Sequence, residues 1–165
     1  MPETMPPPEH RGMPSPRLLR GRHSELSAWY AVTTVAARRR PVFIEPGAAE
    51  AVRLEIANCE REGIIESEAW VLMPDHLHWL FRLRAASLGR CMQAFKSRSA
   101  RAIRELAGGS GPIWQRGYYD HRVRGDEDLF AQAKYIIANP LRGNLVGRVE
   151  DYPHWWARHA SMASE

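Results

Sequence analysis

The sequence predicts an α+β fold: a ferredoxin-like (split βαβ) antiparallel sheet of four strands, helices on one face, and an added C-terminal helix carrying a tyrosine. Three observations predict it. The apolar period switches between about 2 and about 3.6 in the order strand, helix, strand, strand, helix, strand. Pro74-Asp75 joins two of those strands as a tight turn. The 165 residues suffice for one domain with a core but not for two.

Residues 1–20 hold six of the twelve prolines, including Pro6-Pro7-Pro8, and cannot bury enough apolar surface to offset the entropy of ordering. We expect a flexible leader over 1–20, a domain over 21–146 and a tail over 147–165. Trp29 to Val35, rich in aromatic and β-branched residues, predicts the first strand. It runs into Arg38-Arg39-Arg40, a basic loop that would be useful beside a phosphate-binding face. Residues 47–62 predict a helix, with apolar positions 48, 51, 52, 56 and 59 and a stop at Gly63. Residues 66–73 and 76–84 predict the hairpin strands.

Residues 87–106 predict a second helix, with Leu88, Met92, Phe95, Ser99, Ala102, Ile103 and Leu106 on one stripe. Arg90, Arg101 and Arg104 lie opposite, with Lys96 and Arg98 on the flanks. After the break at 108–112, residues 114–124 predict a fourth strand in which basic and aromatic residues interleave, as at single-strand-binding surfaces. The final helix, 126–138, opens on Asp126-Glu127-Asp128, suited to the positive end of the helix dipole, and ends at Asn139-Pro140. Leu129, Phe130, Ala133, Ile136 and Ile137 form its apolar side, and Asp128, Gln132, Tyr135 and Asn139 a polar stripe.

The formal net charge is +4 and 21 of the 23 basic residues are arginine. Arginine forks phosphate oxygens bidentately, so the balance favours a polyanionic partner, nucleic acid first. Cys59 and Cys91 fall inside helices and indicate neither a disulfide framework nor a cysteine zinc site. No apolar run reaches a membrane span and no signal-peptide core is present, so no membrane partner is expected and the location expected is cytoplasmic.

The stretch that demands a chemical explanation is 76–84. His76, His78, Leu80, Arg82 and Arg84 share one strand face, and Leu77, Trp79, Phe81 and Leu83 the other. Two imidazoles beside guanidiniums put metal-ligand chemistry next to phosphate-binding chemistry. With Tyr135 and Asn139 they are the parts of a metal-assisted attack on phosphate. The metal, Mg²⁺ or Mn²⁺, would sit on His76 and His78 with the Asn139 side-chain oxygen as third ligand, and Tyr135 would be the nucleophile. A free phenol titrates near about 10, so it needs positive charge close by.

Four segments, in order, resemble the single-tyrosine HUH (His-hydrophobic-His) transposases, and most closely their REP-associated tyrosine transposase branch. They are Val71-Leu-Met-Pro-Asp-His-Leu-His-Trp, Gln93-Ala-Phe-Lys-Ser, Trp114-Gln-Arg-Gly-Tyr-Tyr-Asp-His-Arg-Val-Arg, and Tyr135-Ile-Ile-Ala-Asn-Pro-Leu-Arg-Gly-Asn-Leu-Val. The resemblance implies cleavage and rejoining of single-stranded DNA at hairpin-forming repeats, through a covalent 5′-phosphotyrosine. By position it implies His76 and His78 as the metal pair, Tyr135 as nucleophile and Asn139 as the amide ligand, in a monomer or a homodimer. Arg82, Arg84, Arg90, Lys96, Arg101, Arg104, Arg122 and Arg124 are the candidate DNA contacts. Two other readings keep the fold: a hairpin-binding or regulatory protein that does not cut, and an RNA-binding module.

Overall fold

Strands β1 (Trp29–Val35), β2 (Ile65–Met73), β3 (His76–Leu83), β4 (Tyr119–Val123) and β5 (Trp155–Ala157) form one antiparallel sheet in the order β4-β1-β3-β2-β5. The computed structural model describes residues 24–159; the expected leader, 1–20, and residues 160–165 lie outside the described residues. The first four strands have the predicted ferredoxin-like order. Central β3 therefore carries both histidines.

Alternation along β3 divides the interior into two cores. Leu77, Trp79, Phe81 and Leu83, all fully buried, face helices α1 (Pro46–Arg61) and α2 (Leu88–Ala107), where Val52, Ile56, Phe95 and Ile103 meet them. Of the three indoles in this core, those of Trp79 and Trp114 each find a hydroxyl for the N–H: Trp79 Nε1 donates to Ser67 Oγ at 3.0 Å and Trp114 Nε1 to Ser99 Oγ at 2.9 Å. Both buried donors are thus satisfied. Ser87 caps α2, its Oγ accepting from Arg90 N.

On the opposite face, α3 (Asp126–Ile137) lays Ala133, Ile136 and Ile137 on Ala69, Val71, Leu80 and Val123. A short turn of helix, α4 (Asn139–Arg142), follows it. The histidines share this face, so α3 partly covers the sheet surface that carries them.

Four expectations need correction, the first being Leu106 of the predicted α2 stripe, which is 63% exposed at the end of that helix. The fourth strand begins at Tyr119 and not at Trp114, which makes only an isolated bridge to Ala36, because Gly117 at φ +75° turns the chain before pairing starts. Phe130 lies off the packed side of α3, 43% exposed beneath Lys134. The sheet has a fifth strand: residues within the predicted tail return to β2, pairing Ala69 with Ala157 and Val71 with Trp155. Tyr152 Oη donates to Leu72 O, and Arg158 reaches Glu60, Glu66 and Glu68 at 3.4, 3.7 and 3.4 Å beside the bulge at Glu68. No helix of the described residues is long and apolar enough to cross a membrane.

Candidate active site

His76 and His78 point their Nε2 atoms at each other, 3.1 Å apart, with the ring planes at 89°. Each ring is held from behind. His76 Nδ1 lies 2.6 Å from Asp75 Oδ1, and His78 Nδ1 lies 2.9 Å from Thr33 Oγ1. A carboxylate only accepts, so Asp75 fixes the proton on His76 Nδ1 and leaves the Nε2 lone pair facing inward. The Thr33 hydroxyl can donate or accept, and so serves His78 in either tautomer. Strand register supplies this partner, because Thr33 stands directly opposite His78 on β1.

Two ligands bound at right angles about 2.1 Å from one ion are about 3.0 Å apart, so the observed separation fits a pair of imidazoles sharing a divalent metal. The partners behind the rings are those expected of metal-binding histidines. Arg39, left-handed at φ +51°, brings its Nη1 to 3.7 Å from Asp75 Oδ2. The hydrogen bond from His76, aided by Arg39, holds the Asp75 carboxyl below its ordinary value, against the effect of burial. Among the described residues no group of three or more His, Cys, Asp and Glu side chains is placed to share an ion. Beyond the histidine pair, a ligand to such an ion would have to come from another kind of group, such as an amide, hydroxyl or carbonyl oxygen, the substrate or water.

Tyr135 is 41% exposed on α3 and lines an open groove of about 610 Å³ against β4, with His121, Arg122, Arg124, Asp128 and Gln132. The groove thus confirms the predicted polar stripe at Asp128, Gln132 and Tyr135. Asn139 donates through Nδ2 to Ile136 O at 2.8 Å, supplying the donor that Pro140 lacks. This leaves Oδ1 as the atom available to a ligand. Met73 pairs with His76 on β2, and a Cβ built on Gly143, next to α4, would meet the Met73 methyl at 3.5 Å. The end of the tyrosine-bearing helix and the imidazole pair therefore occupy the same end of one sheet face.

The basic residues are not one patch. Arg82 shares the histidine face, but four residues beyond His78 and six beyond His76 along a strand is roughly 13 and 20 Å, and its Nε donates to Ser27 O at 3.1 Å. Arg84 follows the end of β3. Arg90, Arg101 and Arg104 are on α2, across the sheet from the histidines, and Arg104 grips Gly111 O through Nε and Nη2 at 3.1 and 2.9 Å. Lys96 donates to Gln115 O and Gly117 O at 2.6 and 2.7 Å, and burial pushes it down to about 8. Arg122 pairs with Glu25 at 2.6 Å. Arg122 and Arg124 alone of the predicted set line the Tyr135 groove. Sequence reasoning missed Thr33, Asp75 and Arg142, whose guanidinium lies over the Tyr135 ring. Asp75 carried one signal, a carboxylate adjoining the first histidine.

A co-facial imidazole pair on the central strand, overlaid by a helix that carries a tyrosine, is the arrangement that the sequence resemblance leads one to expect of an HUH-type site. The chain belongs to the IS200-like transposase family, whose model matches residues 25–139. It is 28% identical over 104 residues to the REP-associated tyrosine transposase of Escherichia coli (strain K12), covering 62% of this chain and 60% of that protein. A Haemophilus influenzae protein named for the same group is 34% identical over 107 residues, covering 54% of this chain and 57% of its own. The chain thus spans less than two thirds of the length of these curated relatives. A solved structure of a REP-associated tyrosine transposase bound to a REP hairpin shares the fold, with a TM-score of 0.66 at 22% identity over 82% of this chain and 79% of that one.

Proposed function

We propose that this chain is a metal-dependent single-stranded DNA endonuclease and strand transferase acting on hairpin-forming repeats. The observation that carries the proposal is the convergence of His76 and His78 Nε2 at 3.1 Å with both Nδ1 atoms held from behind. The likeness to REP-associated transposases supports the hairpin substrate.

His76 and His78, with Asn139 Oδ1, would hold Mg²⁺ or Mn²⁺. Such an ion, when bound, polarises a non-bridging phosphate oxygen. The Tyr135 oxygen attacks phosphorus, the P–O3′ bond breaks and the new Tyr–O–P bond leaves a 5′-phosphotyrosine. The phenolic proton passes to solvent, and the departing O3′ takes one up to become a 3′-hydroxyl. Attack by a 3′-hydroxyl on the phosphotyrosine reverses these steps and rejoins the strand. Arg122 and Arg124 flank the groove through which the strand would reach Tyr135. The more distant exposed Arg84, Arg90 and Arg101, with the half-buried Arg82, are the cations available to a hairpin stem.

The test is incubation of the protein with labelled single-stranded hairpins and Mn²⁺ or Mg²⁺, beside Tyr135→Phe and a chelated control. A denaturation-resistant protein–DNA adduct that requires both the metal and Tyr135 is expected. Equal hairpin binding by wild type and Tyr135→Phe with no cutting, across a panel containing the host's own repeats, would instead establish a non-catalytic binding protein.

A further inference from the structure

An exposed tyrosine on a helix has several rotamers open to it, whereas attack at phosphorus requires the phenol oxygen to be held in a narrow range of positions. On Tyr135 the restraint comes from the chain beyond its own helix. Pro140 is buried and has no N–H, so α3 cannot continue through it, and Asn139 satisfies Ile136 O from its side chain. The short turn α4 then sends residue 142 back over residue 135. The Arg142 guanidinium carbon lies 3.7 Å from the centroid of the Tyr135 ring, and Arg142 Nη2 donates to Tyr135 O at 2.5 Å.

One planar group thus grips both the ring and the main chain of the same tyrosine. A lysine ammonium offers a point charge without a flat face and fork, and cannot reproduce both contacts. The anchorage of this clamp also has meaning. Gly143, the next residue, lies against the methyl of Met73, and Met73 pairs with His76. The base of Arg142 is therefore tied to the end of the sheet that carries the paired imidazoles. Burial lowers the Arg142 pKa, while the neighbouring Tyr135 opposes that effect, consistent with a guanidinium held at the tyrosine and not ranging in solvent.

We infer that Arg142 is the positioning residue of the nucleophile, setting the direction of the Tyr135 phenol relative to the histidine pair. The inference rests on the proposal that Tyr135 attacks the DNA. It is distinct from a DNA-contact role, in which Arg142 would add affinity and leave the tyrosine unrestrained.

The experiment compares wild type, Arg142→Met and Arg142→Lys in two measurements. The first is the single-turnover rate of adduct formation at saturating hairpin, with hairpin affinity measured separately. Both variants are expected to slow the rate by about 10- to 100-fold, with affinity unchanged to within about twofold. The second is NMR of tyrosine-labelled protein, in which the Tyr135 signal among the five tyrosines is assigned by its loss in Tyr135→Phe. That signal is expected to shift and average in Arg142→Met while the other four stay in place. Wild-type rates in both variants, or a rate that falls only in proportion to affinity, would overturn the inference. Full rescue by lysine would overturn it as well, since charge alone would then suffice. If wild type forms no adduct on any hairpin, the nucleophile reading fails by itself. The ring signal then decides the positioning claim, an unchanged signal in Arg142→Met counting against it.

Discussion

Thr33→Val removes the hydroxyl behind His78 and little else. Valine matches threonine in shape and suits the central strand β1, so the sheet should form as before. The 2.9 Å contact to His78 Nδ1 disappears. A neutral hydrogen bond is worth about 0.5–1.5 kcal/mol net, and one to a group gaining positive charge about 1.5–3. His78 gains such character when its Nε2 shares electrons with a cation. Loss of a partner behind a metal-binding histidine typically weakens metal affinity by about 10- to 100-fold, or about 1.4–2.7 kcal/mol. The two routes agree. Mn²⁺ titration of the DNA-free protein by calorimetry should show that weakening in Thr33→Val and near-wild-type affinity in Thr33→Ser, with His78→Ala losing the site. Wild-type affinity in Thr33→Val, alongside loss in His78→Ala, would refute the reasoning. Retention in His78→Ala as well would put the metal elsewhere.

Arg124→Ala, beside the Tyr135 groove, should weaken hairpin binding similarly for all sequences and reduce the slope of log affinity against log salt by about 1; an unchanged slope would remove Arg124 from the DNA path. Lys96→Met should destabilise the fold by about 1–3 kcal/mol through loss of two donors to carbonyls and hasten proteolysis around residues 108–117. Unaltered stability with a smaller salt slope would return Lys96 to the DNA contacts. Burial holds His154 below the ordinary histidine value of 6.5. Between the folded and unfolded values the unfolded chain binds more protons, so stability rises with pH through that window and is lost as pH falls below 6.5. Denaturation at several pH values should show this slope in wild type and a flatter one in His154→Gln.

Much of the site was legible because it depends on short-range periodicity. Alternation through 76–83 put both histidines on one face and Trp79 and Phe81 in the core, and the helical period put Tyr135 on a polar stripe that the structure finds lining a groove. What depended on register was not legible. Thr33 backs His78 only because β1 and β3 pair with those two residues opposed, across 45 positions of sequence. The basic face of α2 read as a candidate DNA surface since charge periodicity cannot reveal that Lys96 and Arg104 turn to loop carbonyls. Phe130 was misplaced because an apolar side chain at the margin of a stripe can as easily lie under a neighbouring lysine. A three-residue strand such as β5 is too short to show a period at all. Arg142 follows a proline in a turn, where no period applies.

The return of the chain at 152–157 bears on solubility. Without it β2, a nine-residue strand buried along nearly its whole length, would be the sheet's outermost member, its unpaired N–H and C=O groups a template for any extended apolar segment. With it the two margins of the sheet are strands of five and three residues, too short to recruit much. A version of this protein stopped before Tyr152 would therefore be expected to self-associate through β2 even with its histidines and tyrosine intact. Loss of activity on such trimming would then report aggregation and carry no information about chemistry.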